Sequence, residues 1–569
     1  MSTHSSQRAA RRASAASRRS TASLAALVRR RLRLWLTVAL LCVSCKRVDP
    51  PGGTDAPSAG ANASPHAGGE LVFAFDGAAV TQFSLDPHRL PYAPHHRVIR
   101  SIADSLVVML PNHRFGPWLA RSWEVSPDGL SYTFRLREDV RFHDGTRFDA
   151  AAVKFNLDRV KEPENALMSS ADLGSYERTV VVDEFTARVE LSRPFAPFLA
   201  NLSKSSLAIV SPAAVALYAD QFQTHPVGTG PFRFESLKPA TEIVLVRNPD
   251  YRWAPQGAAH DGPAWLERLV FKNVPEEATR VAVLENGQAG AADLIPPQNL
   301  LGMGASPAYH VVAGELLNHN YSLYLNVQRE PWGDARMRQA FKLSLDIDAA
   351  VKTVHLGTQA RAWAPLSPSL LGYDPTLEGS WKSDPAAAAR IFDELGWQVG
   401  EDGVRTKQGK RLSVVFMDTQ GNREKRLDLL TVFRRQLKAT GIDVRIDSQP
   451  GGAYQEKVLA GDFDLLGGSL FAPDPDVLRR IHSPAFRGAT SVSKVDDPEL
   501  EQLLEQGYGT LDEDRRAGIY ARAQRLILDR TYAIPIYVLQ YSIVSRSGVE
   551  GITIDRHGFP VFFDAWTRS

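Results

Sequence analysis

Cysteine is almost missing from this chain. Cys42 and Cys45 are the only two among 569 residues, and both lie near the N-terminus. No disulfide can form within the body that follows, so its stability has to come from packing. The spacing Cys42-Val43-Ser44-Cys45 is that of a redox pair, but it follows an apolar run, which argues against thiol–disulfide chemistry. Long hydrophobic runs are missing too. The stretch 34–44 is apolar apart from Thr37 and Ser44, and it is shorter than the roughly 20 residues that a spanning helix needs. There is no G-x-x-x-x-G-K-[ST] and no H-E-x-x-H, and Gly467-Gly468-Ser469-Leu470-Phe471 lacks the second glycine of a nucleophile elbow. With no thiol in the body and no carboxylates that the sequence pairs, an enzyme is disfavoured and no cofactor is expected. A basic excess is missing as well. The formal charge is +2, but nine arginines precede Cys45 with no acid among them; without them 57 of the 66 basic residues face 64 acids. That balance excludes a phosphate-binding surface of the kind nucleic acids require.

What is present at the N-terminus is a secretory leader. Arg29, Arg30, Arg31 and Arg33 precede the apolar run 34–44, the order of a charged region and a hydrophobic region in a signal peptide. Ser44 is small and precedes Cys45, as in a lipobox, although Cys42 stands where leucine is usual. The sequence therefore predicts cleavage before a lipidated Cys45, with an ordinary signal peptide as the alternative. Residues 47–69 are rich in Pro, Gly, Ala and Ser, a composition that cannot form a core and behaves as a flexible spacer.

The body has the 44% hydrophobic and 23% charged residues of a globular protein. Its most informative stretch is 117–160, PWLARSWEVSPDGLSYTFRLREDVRFHDGTRFDAAAVKFNLDRV. Ser126-Pro127-Asp128-Gly129 is a tight turn. Tyr132, Phe134 and Leu136 alternate with polar residues as a strand with one buried face does. His143-Asp144-Gly145-Thr146 is a second turn, and Asp149 can cap a helix with Val153, Leu157 and Val160 on one side. This segment resembles a signature of the family 5 extracellular solute-binding proteins, the receptors of peptide, nickel and opine ABC importers. HPVGTGPFRFES (225–236) with VLVRNPDYRW (244–253), then NVPEEATRVAVLENGQAGAADL (273–294), then YLNVQREPWGDARMRQAFKLSLDID (324–348) resemble three further signatures in the family's order.

Elsewhere the pattern predicts strands at 70–75, 244–247, 269–272, 412–418 and 444–447, and one closing strand at 533–545. Helices are predicted at 98–109, 149–159, 212–222, 278–286, 334–354, 385–395, 423–440, 454–460, 498–505 and 512–529. The alternation from about residue 385 onward is α/β in character. The resemblance implies a two-lobed α/β fold with a ligand cleft between the lobes and a hinge that closes on the ligand. On that mapping residues 1–45 are leader, 46–69 linker, 70–325 with 533–569 lobe I including a β-rich subdomain at about 108–200, and 326–532 lobe II. It also implies a monomeric receptor at the periplasm or cell surface, held to a membrane through Cys45, that hands a peptide-like or other small solute to an ABC permease and ATPase. A catalytic or sensory protein derived from the same fold is the alternative.

Clefts of this kind are apolar and aromatic with a few aimed polar groups. Tyr321, Arg361, Trp363, Phe471, Asp474 and Tyr537 are the candidate ligand-binding residues. Arg361 could clamp a carboxylate or be a solvated loop arginine. Trp363 could wall a pocket or fill core. Tyr321 and Tyr537 stand on strands that the mapping brings to the cleft, with core packing as the competing role. The resemblance places Phe471 where peptide-binding members carry the aspartate that pairs with the ligand's ammonium, and Asp474 at a downstream turn. His88, His95, His96 and His113 are the one candidate metal cluster, but adjacent histidines on a helix diverge, so no metal is expected. Gly228-Thr229-Gly230, followed by Pro231, reads as a tight backbone passage near the inter-lobe crossing rather than a phosphate loop.

Overall fold

The computed structural model describes residues 64–77, 84–89, 93–162, 167–419, 422–487 and 490–568. The leader, Cys42, Cys45 and the spacer up to residue 63 lie outside the described residues. Residues from Pro65 onward form one unit. Among the described residues, no helix is long and apolar enough to cross a membrane.

Two large sheets organise the body. The seven-stranded sheet runs Tyr309–Glu315, Gln540–Arg546, Ala291–Asp293, Glu70–Phe75, Arg268–Asn273, Glu242–Arg247, Phe232–Lys238. Its centre is Glu70–Phe75, parallel to both neighbours. Being covered on both faces, this strand buries Leu71, Phe73, Ala74 and Phe75, with Val72 half-buried. The six-stranded sheet runs Ala360–Arg361, Ile534–Val538, Asn318–Leu325, Leu465–Phe471, Ser413–Thr419, Asp443–Gln449. Its last three strands are mutually parallel, and they alternate with helices Arg426–Ala439 and Gly451–Ala460. A four-stranded antiparallel sheet, Ala120–Val125, Ser131–Leu136, Thr186–Leu191, Tyr176–Asp183, shares its core with the seven-stranded sheet.

Local expectations held where turn chemistry was explicit. Gly129 and Gly145 take φ of 69° and 85°, and the Asp149 carboxylate accepts from Ala152 N at 2.7 Å to start helix Ala150–Val160. Helix Ala93–Ile102 starts before the expected 98 and ends well before 109. Pro94 sits in its first turn, where a missing N–H costs nothing. The single helix expected at 334–354 is two, Ala335–Leu343 and Ile347–His355. Asp346 caps the second by accepting from Ala349 N at 3.0 Å, and a cap side chain between two apolar runs ends one helix as it begins the next.

The expected closing strand 533–545 is likewise two strands in different sheets, with the chain changing sheets at Leu539. Strand Tyr309–Glu315 passes to Asn318–Leu325 through Leu316 and Leu317, a parallel change of sheet. The two crossings lie side by side, Leu316 N donating to the Leu539 carbonyl at 3.1 Å. Gly228 and Gly230 are a tight passage, because a Cβ on either would overlap the backbone at Ile102. They pack against the end of helix Ala93–Ile102, however, and not at the crossings.

Candidate functional site

The C-terminal ends of the parallel strands Ser413–Thr419, Asp443–Gln449 and Leu465–Phe471 lie at the end of the six-stranded sheet where Asn318–Leu325 begins, since Asn318 pairs with Phe471. Open α/β sheets bind ligands beyond these strand ends. Here that end meets the lobe built on the seven-stranded sheet.

Phe471 is the residue of the six candidates that reaches across. Its ring lies 4.8 Å from Phe559, edge to face, 5.6 Å from His96 and 5.9 Å from His557. All three belong to the other lobe. His96 stacks on Phe559 at 5.1 Å, and its Nδ1 hydrogen-bonds to Ser205 at 2.5 Å. Burial, reinforced by Lys204, holds the His96 imidazole down to about 3, so it is neutral. His557 is held down in the same way, by burial and by Arg100 and Lys204.

Beside Phe471 lies an ion cluster that joins the lobes. Asp172 ends helix Leu167–Asp172, Lys204 follows helix Phe198–Leu202, and Arg480 comes from helix Val477–His482 on the opposite lobe. Asp172 accepts from Lys204 at 2.5 Å and from Arg480 at 2.8 Å, with Ser206 donating at 3.0 Å. Their side chains are 1%, 3% and 7% exposed, so all three charges are out of water. Burial alone would raise the Asp172 carboxyl, but Lys204 and Arg480 hold it below its ordinary value. Burial pushes the Lys204 ammonium down against the pull of Asp172. Lys204 Nζ also lies 5.6 Å from the Phe471 ring centroid.

A second cluster lies nearer the crossings. The rings of Tyr321 and Tyr537 stack at 4.9 Å, with Arg426 4.7 Å above Tyr321. The Tyr537 hydroxyl donates to Glu424 at 3.0 Å. Burial would raise Glu424, but Arg426 and Arg423 hold it down to about 2. Both tyrosines are fully buried, so the competing core role describes their rings. Lys425 pairs with Glu277 of the other lobe at 2.5 Å. Gln359 also ties the lobes, accepting from Gln540 N at 2.8 Å.

The remaining candidates are bonded within the second lobe. Arg361 donates to the carbonyls of Ala362 and Pro535, the latter at 2.6 Å. Its guanidinium lies between Trp363 and Trp381, 4.6 and 4.9 Å from the ring centroids, and burial lowers it to about 10. Trp363 thus stacks on Arg361. Asp474 is held by both Arg516 nitrogens, at 2.8 and 2.6 Å, inside its own lobe.

The four histidines do not converge. His88 contacts the Ala208 carbonyl at 3.1 Å and Arg159 at 2.7 Å, and among the described residues no group of three or more potential ligands could hold a metal. A cavity of about 260 Å³ includes Arg141, His143, Asp144, Arg233, Asp250 and Trp253 in its lining, all on the seven-stranded sheet's side.

Sequence reasoning missed Asp172, Lys204 and Arg480. A faint signal existed: Lys204 is the only charge in 195–210, and the pair Arg479-Arg480 sits between Leu478 and Ile481. A charge inside an apolar run marks a buried partner.

A family model described as bacterial extracellular solute-binding proteins, family 5 Middle, matches residues 114–484. The glutathione-binding protein GsiB of Pectobacterium atrosepticum is 30% identical over 451 residues, covering 78% of this chain and 84% of that protein. The structure is similar to NikA from Brucella suis in complex with Fe(III)-EDTA, with a TM-score of 0.75 and 25% identity over 88% of this chain and all (100%) of that one. It is similar in fold to the ABC transporter-associated periplasmic binding protein DppA from Helicobacter pylori in complex with peptide STSA, with a TM-score of 0.75 and 24% identity over 89% and 99% of the two chains. Two lobes joined by paired crossings, a buried junction at the strand ends and these matches agree, and the chain belongs to the bacterial extracellular solute-binding proteins, family 5.

Proposed function

We propose that this protein is a membrane-tethered receptor that captures a small solute between its lobes and passes it unaltered to an ABC permease. The tether is Cys45, and the spacer to residue 69 lets the body reach its partner. One lobe comprises residues 70–315 and 540–568, the other 318–538, with the crossings at 316–317 and 539 as the hinge. The ligand site is the junction around Phe471, with Tyr321, Tyr537 and the Glu424–Arg426 pair behind it. Arg361, Trp363 and Asp474 shape the second lobe rather than touch the ligand. The observation that carries this reading is the Asp172–Arg480 contact, 2.8 Å between charges of opposite lobes that are both out of water. Contacts made to both lobes at once are what let a ligand favour closure.

The receptor binds and releases, and acts as a monomer, with no catalytic step. The test is thermal melting and solution scattering of the mature protein against a panel of peptides and small acids. A bound solute at a hundred times its Kd adds about 2.7 kcal/mol of stability. The expected result is a higher melting temperature with a smaller radius of gyration and recovery of the solute unchanged. Conversion of the solute, or an invariant radius with every stabilising compound, would refute the reading.

A further inference from the structure

We infer that the solute presents a carboxylate, and no ammonium, to the Phe471 end of the junction, and that Lys204 and Arg480 read it. This rests on the receptor reading above and names its substrate class.

The argument is a charge count in a place where charges are expensive. Lys204 and Arg480 share one carboxylate, Asp172, so the triad carries one positive charge in excess. Arg100, the next cation, has its own carboxylate in Asp555 at 3.5 Å and donates to the Ser203 carbonyl at 2.8 Å. It therefore adds nothing to the deficit. A buried charge without a partner costs several kcal/mol, and among the described residues Arg480 pairs with no second acid.

Polar atoms in and beside the triad are left without partners. Among the described residues, Arg480 Nε is a buried donor with no hydrogen-bond partner; His96 Nε2 is also buried and unpartnered, and it donates or accepts according to which ring nitrogen carries the proton. Lys204 has three donors and spends one on Asp172. On the acid side, Asp172 Oδ1 accepts from Arg480 and Oδ2 from Lys204 and Ser206. The walls are Phe471, Phe559 and the neutral imidazole of His96. An ammonium here would meet two cations and one carboxylate already shared between them. A carboxylate would neutralise the excess and take the unused donors, in bonds that charge makes roughly twice as strong as neutral ones. The apolar walls would carry the carbon skeleton next to it.

The test is a thermal-shift panel on the mature protein. One set holds succinate, glutarate, N-acetylglutamate, N-acetyl-dialanine and glutathione; a second holds their amides; a third holds primary amines without an acid. The expected result is stabilisation by at least one acid and none by its amide. Lys204→Met and Arg480→Met should each weaken that acid at least tenfold, and Lys204→Arg should retain it. Asp172→Asn should bind it as tightly or more tightly, because it enlarges the positive excess. Lys204→Met keeps Asp172 paired with Arg480 and Ser206, and the unliganded melting temperature of each variant checks folding. Stabilisation by amides or amines as strong as by acids, or loss of binding in Asp172→Asn with Lys204→Met unaffected, overturns the inference and leaves the receptor reading standing. Silence of all the acids overturns it too; the receptor reading falls with it only when the other two sets are also silent.

Discussion

Replacing Asp474 separates a ligand residue from a structural one. Asp474 sits on the loop after Leu465–Phe471, three residues from Phe471, so proximity alone would make it a ligand group. Its geometry says otherwise. Both carboxylate oxygens are taken by Arg516, at 2.8 and 2.6 Å, with Oδ1 also accepting from Asp476 N at 2.8 Å. The arginine side chain is 4% exposed and the aspartate's 9%. Asp474→Ala leaves the Arg516 guanidinium with the Gly507 carbonyl at 2.8 Å as its remaining hydrogen-bond partner, beside the Tyr520 ring. Removing one member of a buried pair costs about 3–5 kcal/mol.

At an unfolding entropy of about 2.1 cal/mol/K per residue, roughly 500 residues melting together give about 1 kcal/mol/K, so the loss is roughly 3–5 °C. Were the second lobe, of roughly 200 residues, to melt alone, the same loss would be roughly 7–12 °C. The assay is calorimetry of the unliganded mature protein, with Asp474→Ala, Arg516→Met and the double variant. The double variant removes both charges and should recover most of the loss, to within about 1 kcal/mol of wild type. A melting temperature unchanged in Asp474→Ala, together with lost solute binding, would refute the reasoning and return Asp474 to the ligand site.

Gly467→Ala should destabilise by about 1–3 kcal/mol in urea unfolding, because a Cβ there would overlap the Tyr321 hydroxyl, whose ring is fixed by Tyr537 and Arg426. Lys425→Ala should weaken solute binding no more than about fivefold, since its pair with Glu277 is partly exposed and such pairs contribute at most about 1 kcal/mol; scattering should show a larger unliganded radius. His96, His319 and His482 are buried and held down to about 3, in each case by burial first. Their folded pKa lies below the unfolded value of 6.5, so between those values the unfolded chain binds more protons and stability is lost as pH falls through 6.5. Each contributes a slope of up to about 1.4 kcal/mol per pH unit in that window, and melting temperatures that stay flat from pH 6.5 to 4.5 would contradict it. Cys45→Ser should move the protein from the detergent-extracted membrane fraction to the soluble one, and retention on membranes would refute the tether.

Legibility of the chain followed how local each cause is. The Ser126–Gly129 and His143–Thr146 turns and the Asp149 cap are set by residues within a few positions of one another, and they were readable. The sheet change at Leu539 was not, because Ile534 to Val544 is apolar apart from Gln540 and Ser542, and an isolated glutamine in a strand-like run does not by itself mark where hydrogen bonding passes from one sheet to the other. The long helix at 334–354 failed for the same reason: its apolar spacing continues through the cap at Asp346. Among the candidate site residues, Phe471 was reached through a positional resemblance, and its neighbours were not reachable at all. Asp172, Lys204 and Arg480 are 32 and 276 residues apart in succession, and only the packed fold brings them within bonding distance. For Arg361 and Asp474 the sequence left the role open, because bidentate chemistry fits a ligand and a protein partner equally well and the sequence does not say which is present.

The junction also explains why closure should wait for the solute. Asp172 and Lys204 share a lobe, so their pair survives opening as a neutral unit, 2.5 Å apart. In the proposed receptor, Arg480 arrives only when the lobes meet. Opening returns it to water, where its charge costs nothing; closing buries it against an acid that already has a cation. Closure of the empty protein thus combines apolar contact, such as Phe471 on Phe559, with a desolvated charge that is only half matched. The first favours the closed form and the second opposes it. An anionic solute removes the opposing part and leaves the apolar contact in place. Its effect on the equilibrium comes from the closed state alone, which is the condition for a ligand to shift a population. A neutral solute of the same shape would gain the apolar contact without relieving Arg480, and should close the lobes less completely at saturation.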